Sequence, residues 1–240
     1  MNLDQLAALN RCIAGRVPVA AVTALDAGLE PGDRVVILTP EDVSGQYYAE
    51  ALLEAFRTGR SGIHEAAGRR YFFNVHLPPV KLVITGAVHI SQALAEIARV
   101  IDLDCTIIDP RTAFATAGRF PLTRVIAEWP ERALPALALD RYTAFVALTH
   151  DPKIDDPGLD AALRAGCFYV GALGSRKTHA KRVERLTAAG LPVAAVARIR
   201  APVGLDLGAA NPAEIAVAIA AEIIAAMREK RRAPAEAAER

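Results

Sequence analysis

The spacing of apolar and polar positions changes once along the chain, at Leu77-Pro78-Pro79. Before it the elements are short. Helical spacing covers residues 3–14 and 46–57, and apolar runs at 17–23 and 34–38 predict two strands. Alternating positions at 61–65 and 70–76, joined by Ala67-Gly68, predict a hairpin. Residues 1–77 are therefore expected to form a small N-terminal α+β domain, of a size at which independent folding is marginal. Its two helices read as core or partner faces, with nothing catalytic on them.

After the prolines, strands and helices alternate. Strands are predicted at 81–85, 105–108, 125–127, 142–149, 167–170 and 193–197. Helices are predicted at 91–101, 159–165 and 175–188. A last one starts at Asn211-Pro212, with Asn as cap and Pro in the first turn, and runs to about residue 230. Alternation of this kind is the signature of a parallel sheet covered on both faces. The fold class is thus α/β: a Rossmann-like doubly wound parallel sheet over residues 78–230. Residues 231–240 have no core face and are expected to be a disordered tail.

The segment FYVGALGSRKTHAKR (168–182) concentrates the candidate chemistry. A buried strand runs into Gly171 and Gly174, which allow a tight turn and close approach of a ligand to the backbone. Ser175 is the expected N-cap of the next helix, whose first N–H groups are left unpaired. Arg176, Lys177 and His179 fill the first turn, where cations are normally disfavoured by the positive end of the helix dipole. A cationic first turn on an open helix N-terminus reads as an anion site. A solvated basic helix that needed a tight turn is the competing reading.

Three further groups join it at the same sheet edge. Gly86-Ala-Val-His89 follows the first strand of the alternating region, and Asp109 ends the second, where a dinucleotide fold places its ribose-binding acid. Val88, however, stands where the pyrophosphate needs a glycine. Thr149-His150-Asp151 closes the fourth strand. His150 and Asp151 could bond a ligand or move a proton, although neighbours on an extended backbone point apart, and Asp151 before Pro152 also reads as a cap. The long loop 199–211 holds Gly204 and Asp206, and its apolar residues predict that it folds back over the site.

Composition narrows the class. The 240 residues carry a net charge of +1, which gives no global field for nucleic acid or acidic lipid. No apolar run is long enough to span a membrane, and residues 1–14 do not read as a secretory signal. Cys12, Cys105 and Cys167 are widely spaced, with no pattern of a metal site, so a reduced cytoplasmic setting without metal ligation is expected.

Four ordered segments then carry a resemblance: KLVITGAVHISQALAEIARVIDLDCTIIDPR (81–111), LTHD (148–151), FYVGALGSRKTHAKRVERL (168–186) and IRAPVGLDLGAANPAEIAVAIAAEI (199–223). Over residues 78–227 the chain resembles the XdhC/CoxI family, accessory proteins of xanthine dehydrogenase and related molybdenum hydroxylases. The resemblance implies a maturation factor, not a metabolic enzyme. Such a factor binds molybdenum cofactor (molybdopterin or its dinucleotide form), protects it during sulfuration and delivers it to an apo molybdenum hydroxylase of the xanthine or CO dehydrogenase type. A cysteine desulfurase and a second copy of the chain are further implied partners. The residues expected to bind the cofactor are Gly86, His89, Asp109, His150, Asp151, Gly171, Gly174, Ser175, Arg176, Lys177, Gly204 and Asp206.

Two positions depart from the family pattern. Its Gly-Ala-Gly-His reads Gly86-Ala87-Val88-His89, and its N-terminal Ser-Gly-Gly-Cys has only Ser44-Gly45-Gln46 as a counterpart. If that cysteine touches the cofactor, this chain works with a second subunit or has a reduced role. The alternatives are an NAD(P)-dependent oxidoreductase, against which Val88 and the lack of a hydride-transfer set count, and a non-catalytic scaffold for the hydroxylase.

Overall fold

The computed structural model describes residues 1–26 and 35–232. Residue 34 of the expected second strand and residues 233–240 of the expected tail lie outside the described residues. Two compact units divide the chain, one built on Met1–Pro79 and the other on Val80–Arg228.

The first unit contains α1 (Leu3–Ala14), β1 (Val19–Ala24), β2 (Val35–Leu38), α2 (Ala49–Thr58), β3 (Gly62–Ala66) and β4 (Arg69–His76). Its strands form an antiparallel sheet in the order β2-β1-β4-β3. At the start of α1, Asn2 and Gln5 cap each other: each side chain accepts the other's backbone N–H, at 2.9 and 2.8 Å. Ala67 and Gly68 both take positive φ, 50° and 71°, the geometry of a two-residue hairpin turn whose twist matches its strands. Leu52 and Phe73 are fully buried at the centre of this unit's core, beside Tyr48 and Tyr71.

The second unit contains β5 (Lys81–Thr85), α3 (His89–Val100), β6 (Asp104–Ile108), β7 (Arg124–Ile126), α4 (Pro130–Leu137), β8 (Thr143–Ala147) and α5 (Pro152–Arg164). It continues with β9 (Tyr169–Ala172), α6 (Arg176–Ala188), α7 (Val193–Val196), β10 (Ile199–Arg200) and α8 (Pro212–Arg232). The six strands are all parallel, in the order β10-β9-β8-β5-β6-β7. Counted within this unit the order is 6-5-4-1-2-3, the doubly wound Rossmann arrangement, which reverses direction between β5 and β8.

Period-two alternation explains the two-sided burial. Leu82 and Ile84 pack on one face with Leu94 and Ala98 of α3 and Ile219 and Ile223 of α8. Val83, Ile108 and Phe145 pack on the other with Leu134 of α4, Leu159 and Leu163 of α5 and Leu186 of α6. Each such fully buried aliphatic or aromatic side chain contributes about 1.5–3 kcal/mol relative to exposure.

The expectations fail at four places, each for a local reason. Residues 193–197 are not the sixth strand: Val193–Val196 is one helical turn, and the sixth strand is Ile199–Arg200. Four apolar residues after a proline suit either state. Helix α5 starts at Pro152, seven residues earlier than residue 159. Pro157 and Gly158 read as a break, yet both sit inside the helix, and a Cβ at Gly158 would collide with the ring of Phe145. Helix α4 was hidden by Pro130 in its first turn and Pro135 in its body. Helix α8 runs to Arg232, two residues past its expected end at about residue 230.

Candidate functional site

In open α/β sheets ligands bind outside the carboxyl ends of the strands, at the switch point. Here that point lies between the loops that follow β5 and β8, and the first of these loops is closed. The N–H of Gly86 donates to Ile108 O at 2.9 Å, that of Ala87 to Asp109 Oδ2 at 2.7 Å, and that of Val88 to Ser91 Oγ at 2.8 Å. Three consecutive backbone donors, which a pyrophosphate would need, are thus engaged within the protein. Gly86 has φ +110°, and a Cβ there would lie 2.9 Å from Thr149 Cγ2, so the loops touch across the switch point. His89 is exposed at the first position of α3.

Asp109 is fully buried and accepts four hydrogen bonds: from Ala87 N–H, and from Arg111 through its N–H (2.9 Å), Nε (2.9 Å) and Nη2 (2.7 Å). Burial would raise its pKa, but the hydrogen bonds from Arg111 and Ala87 outweigh it and hold the carboxyl below the ordinary value. Asp109 therefore ties the first loop to the second strand.

The loop after β9 is open instead. Gly174 has φ +131°, with Thr178 and His150 Nδ1 3.2 and 3.7 Å from where its Cβ would stand, so a glycine is required. Ser175 caps α6, its Oγ accepting Thr178 N–H at 3.2 Å. Among the described residues, the N–H groups of Gly174, Ser175, Arg176 and Lys177 have no hydrogen-bond acceptor. Arg176 and Lys177 are exposed beside them.

His150 leans toward this loop from the end of β8. Its φ of +65° is held by Asp155, which accepts His150 N–H at 3.0 Å, Thr149 N–H at 3.3 Å, Thr149 Oγ1 at 2.8 Å and Thr85 Oγ1 at 3.2 Å. Asp155 is 1% exposed, and burial pushes its pKa up. Asp151 is the N-cap of α5, accepting Lys153 N–H at 3.0 Å, and no hydrogen bond joins it to His150 among the described residues. The structure thus gives Asp151 the capping role and brings His150 beside Gly174.

The remaining candidates lie elsewhere. Gly171 is inside β9, not in the turn; a Cβ there would stand 2.5 Å from Val203 Cγ2, so this glycine serves packing of the loop 201–211 against the strand. Gly204 has φ +94° against the backbone of α8, and its N–H donates to Glu222 Oε2 at 2.8 Å. Tyr169 OH donates to the same oxygen at 2.6 Å, which pins the start of the loop to the sheet. Beyond Val203, Leu205, Asp206 and Leu207 are exposed, so the expectation of a loop folded back through its apolar residues holds only for its first part.

A cavity of about 390 Å³ opens beside the second loop, lined by His150, Pro152, Asp155, Asp156, Lys177, Thr178, Lys181, Arg182 and Arg185. Of these only His150 and Lys177 are among the residues expected from the sequence to bind the cofactor. Arg182 is 2% exposed; its Nη2 donates to Leu173 O at 2.9 Å, while Nε and Nη1 have no partner. The four-residue spacing Lys177, Lys181, Arg185 was legible in the sequence as one helix face, but not which face meets α5.

No group of three or more His, Cys, Asp or Glu side chains that could hold a metal ion occurs among the described residues, and no helix among them is long and apolar enough to cross a membrane. Burial pushes the Cys105 and Cys167 thiols up to about 12, so both stay protonated near neutral pH.

Similarity to known proteins falls on the same unit. The family model described as the XdhC Rossmann domain matches residues 82–223. A protein named molybdenum cofactor insertion chaperone PaoD, from Escherichia coli K12, is 33% identical over 146 residues, covering 61% of this chain and 40% of its own. A probable subunit of xanthine dehydrogenase from Bacillus subtilis 168 is 32% identical over 148 residues, covering 61% and 43%. The chain thus spans less than half the length of these curated relatives. A crystal structure described as a xanthine dehydrogenase from Bacillus halodurans superposes with a TM-score of 0.67 at 22% identity, over 97% of this chain and 70% of that one, which shows a shared fold. The doubly wound sheet and the match over more than half of its residues place this chain in the XdhC family.

Proposed function

We propose that this chain binds molybdenum cofactor as cargo at the carboxyl edge of its parallel sheet and passes it, in the cytoplasm, to an apo molybdenum hydroxylase of the xanthine or CO dehydrogenase type. The observation that carries this reading is the contrast between the two glycine loops. The loop at Gly86 has its donors satisfied internally, whereas the loop at Gly174 offers four free N–H groups beside Arg176 and Lys177. A phosphate-bearing pterin matches that donor set, because a phosphate accepts both backbone N–H and cationic side-chain bonds. The names of the two relatives favour the same cargo and the same class of recipient.

In this reading the chain performs no covalent step. Gly174 keeps the backbone clear of the ligand, Ser175 fixes the start of α6, and His150 forms the opposite wall. The sealed first loop and Val88 weigh against a dinucleotide-dependent oxidoreductase. The role is tested by adding free molybdenum cofactor to an apo-hydroxylase with and without the chain. The chain is expected to raise the recovered hydroxylase activity at least several-fold. Equal recovery with and without it would end the delivery role.

A further inference from the structure

We infer that the cavity between α5 and α6 is a subsite for a dianionic phosphate group, supplied by a phosphorylated pterin or as inorganic phosphate. It deepens the proposed cofactor site, and it rests on that reading only for which molecule carries the phosphate.

The first argument is the state of Arg182. A guanidinium stays charged in a protein and presents five N–H donors. Arg182 is 2% exposed, yet Nε and Nη1 have no hydrogen-bond partner and only Nη2 is bonded, to Leu173 O. Buried polar groups are almost always paired, so a buried cation with open donors at the wall of a cavity calls for an acceptor.

The second is the charge stacked around it. Lys177, Lys181 and Arg185 follow one another at four-residue spacing on α6, where like charges repel. With Arg182, four cations line the cavity against two carboxylates, Asp155 and Asp156. Both carboxylates are committed elsewhere: Asp155 to Thr85, Thr149 and His150, and Asp156 to Arg185 at 2.6 and 3.1 Å. Lys177 and Lys181 therefore face the space with no salt-bridge partner among the described residues. Arg182 is attracted by Asp155 and Asp156 without a hydrogen bond to either, and Thr178 and His150 complete the lining. At about 390 Å³ the cavity falls within the roughly 300–1,000 Å³ typical of small-molecule sites. Its lining runs from Lys177 and Thr178 in the first turn of α6 to Arg185, so the cavity adjoins the open start of that helix.

Calorimetric titration of the full chain with inorganic phosphate, and separately with molybdopterin, tests this. The variants are Lys177→Ala/Lys181→Ala, whose side chains are exposed, and Arg132→Ala on α4 as a control for loss of charge. Phosphate is expected to bind the wild type and to lose at least tenfold in affinity in the double variant but not in the control. The same loss for molybdopterin identifies the pterin as the carrier. Phosphate binding that depends on the two lysines, with no binding of molybdopterin, keeps the subsite for free phosphate and ends the cofactor reading. Molybdopterin binding that ignores the double substitution, while phosphate binding depends on it, removes the pterin as the carrier and leaves the subsite and the cofactor reading standing. No phosphate binding, or an equal phosphate affinity in all three proteins, overturns the subsite.

Discussion

Asp155→Ala is expected to lower the stability of the second unit by about 3–4 kcal/mol, because it strands several buried donors at once. The carboxylate accepts two backbone N–H groups, from Thr149 and His150, and the hydroxyls of Thr85 and Thr149. Hydroxyls can rotate to other acceptors, but the backbone groups cannot. An orphaned donor costs about 1–3 kcal/mol, and the missing side chain leaves a void beside α5. His150 at φ +65° then loses the acceptor of its own N–H and keeps only the Thr149 Oγ1–Asp151 contacts across its turn, so the wall of the cavity loosens as well. Asp155→Asn retains an acceptor oxygen and is expected to lose roughly half as much. Urea unfolding midpoints of the three proteins check the order wild type, Asn, Ala; an alanine variant within 1 kcal/mol of wild type would remove Asp155 as the organiser of this turn.

Asp109→Ala is expected to cost about 2–3 kcal/mol at neutral pH. Its partner Arg111 is partly exposed (38%), so solvent screens their ion pair, and much of the effect comes from the buried N–H of Ala87. The dependence on pH carries a definite sign. The folded pKa lies below the ordinary value, so the carboxylate's contribution is present above the unfolded pKa of about 3.9 and is lost as pH falls through the folded value. The stability gap between wild type and Asp109→Ala should therefore narrow in acid. A gap that stays constant from pH 7 to pH 3 would show that the ionised form does not hold the loop.

Residue pattern carried most of this architecture. β5 is legible to the residue because Lys81–Thr85 is a continuous apolar run with a glycine behind it, and the Ser175 cap follows from its position before a polar helix. α5 was partly hidden, because the space left by Phe145 decides that Gly158 belongs in a helix, and Phe145 is distant in sequence. The same holds for the site. Gly174, Ser175 and Lys177 stand out locally, whereas Asp155 and Arg182 acquire their meaning only when α5 and α6 pack side by side over β8 and β9. Asp109 shows the converse: its position at a strand end pointed to a ribose, but Arg111, two residues on, claims its oxygens.

In the proposed function the open loop at Gly174, and not the loop at Gly86, receives the ligand, and the ligand is the pterin cofactor. Equilibrium binding of molybdopterin and of NADH to the folded chain, each repeated with Arg176→Ala, tests it most directly. Molybdopterin is expected to bind saturably, at least fivefold more weakly in Arg176→Ala, and NADH is expected to show no saturable binding. Binding of NADH by a chain that ignores molybdopterin would contradict the proposed function.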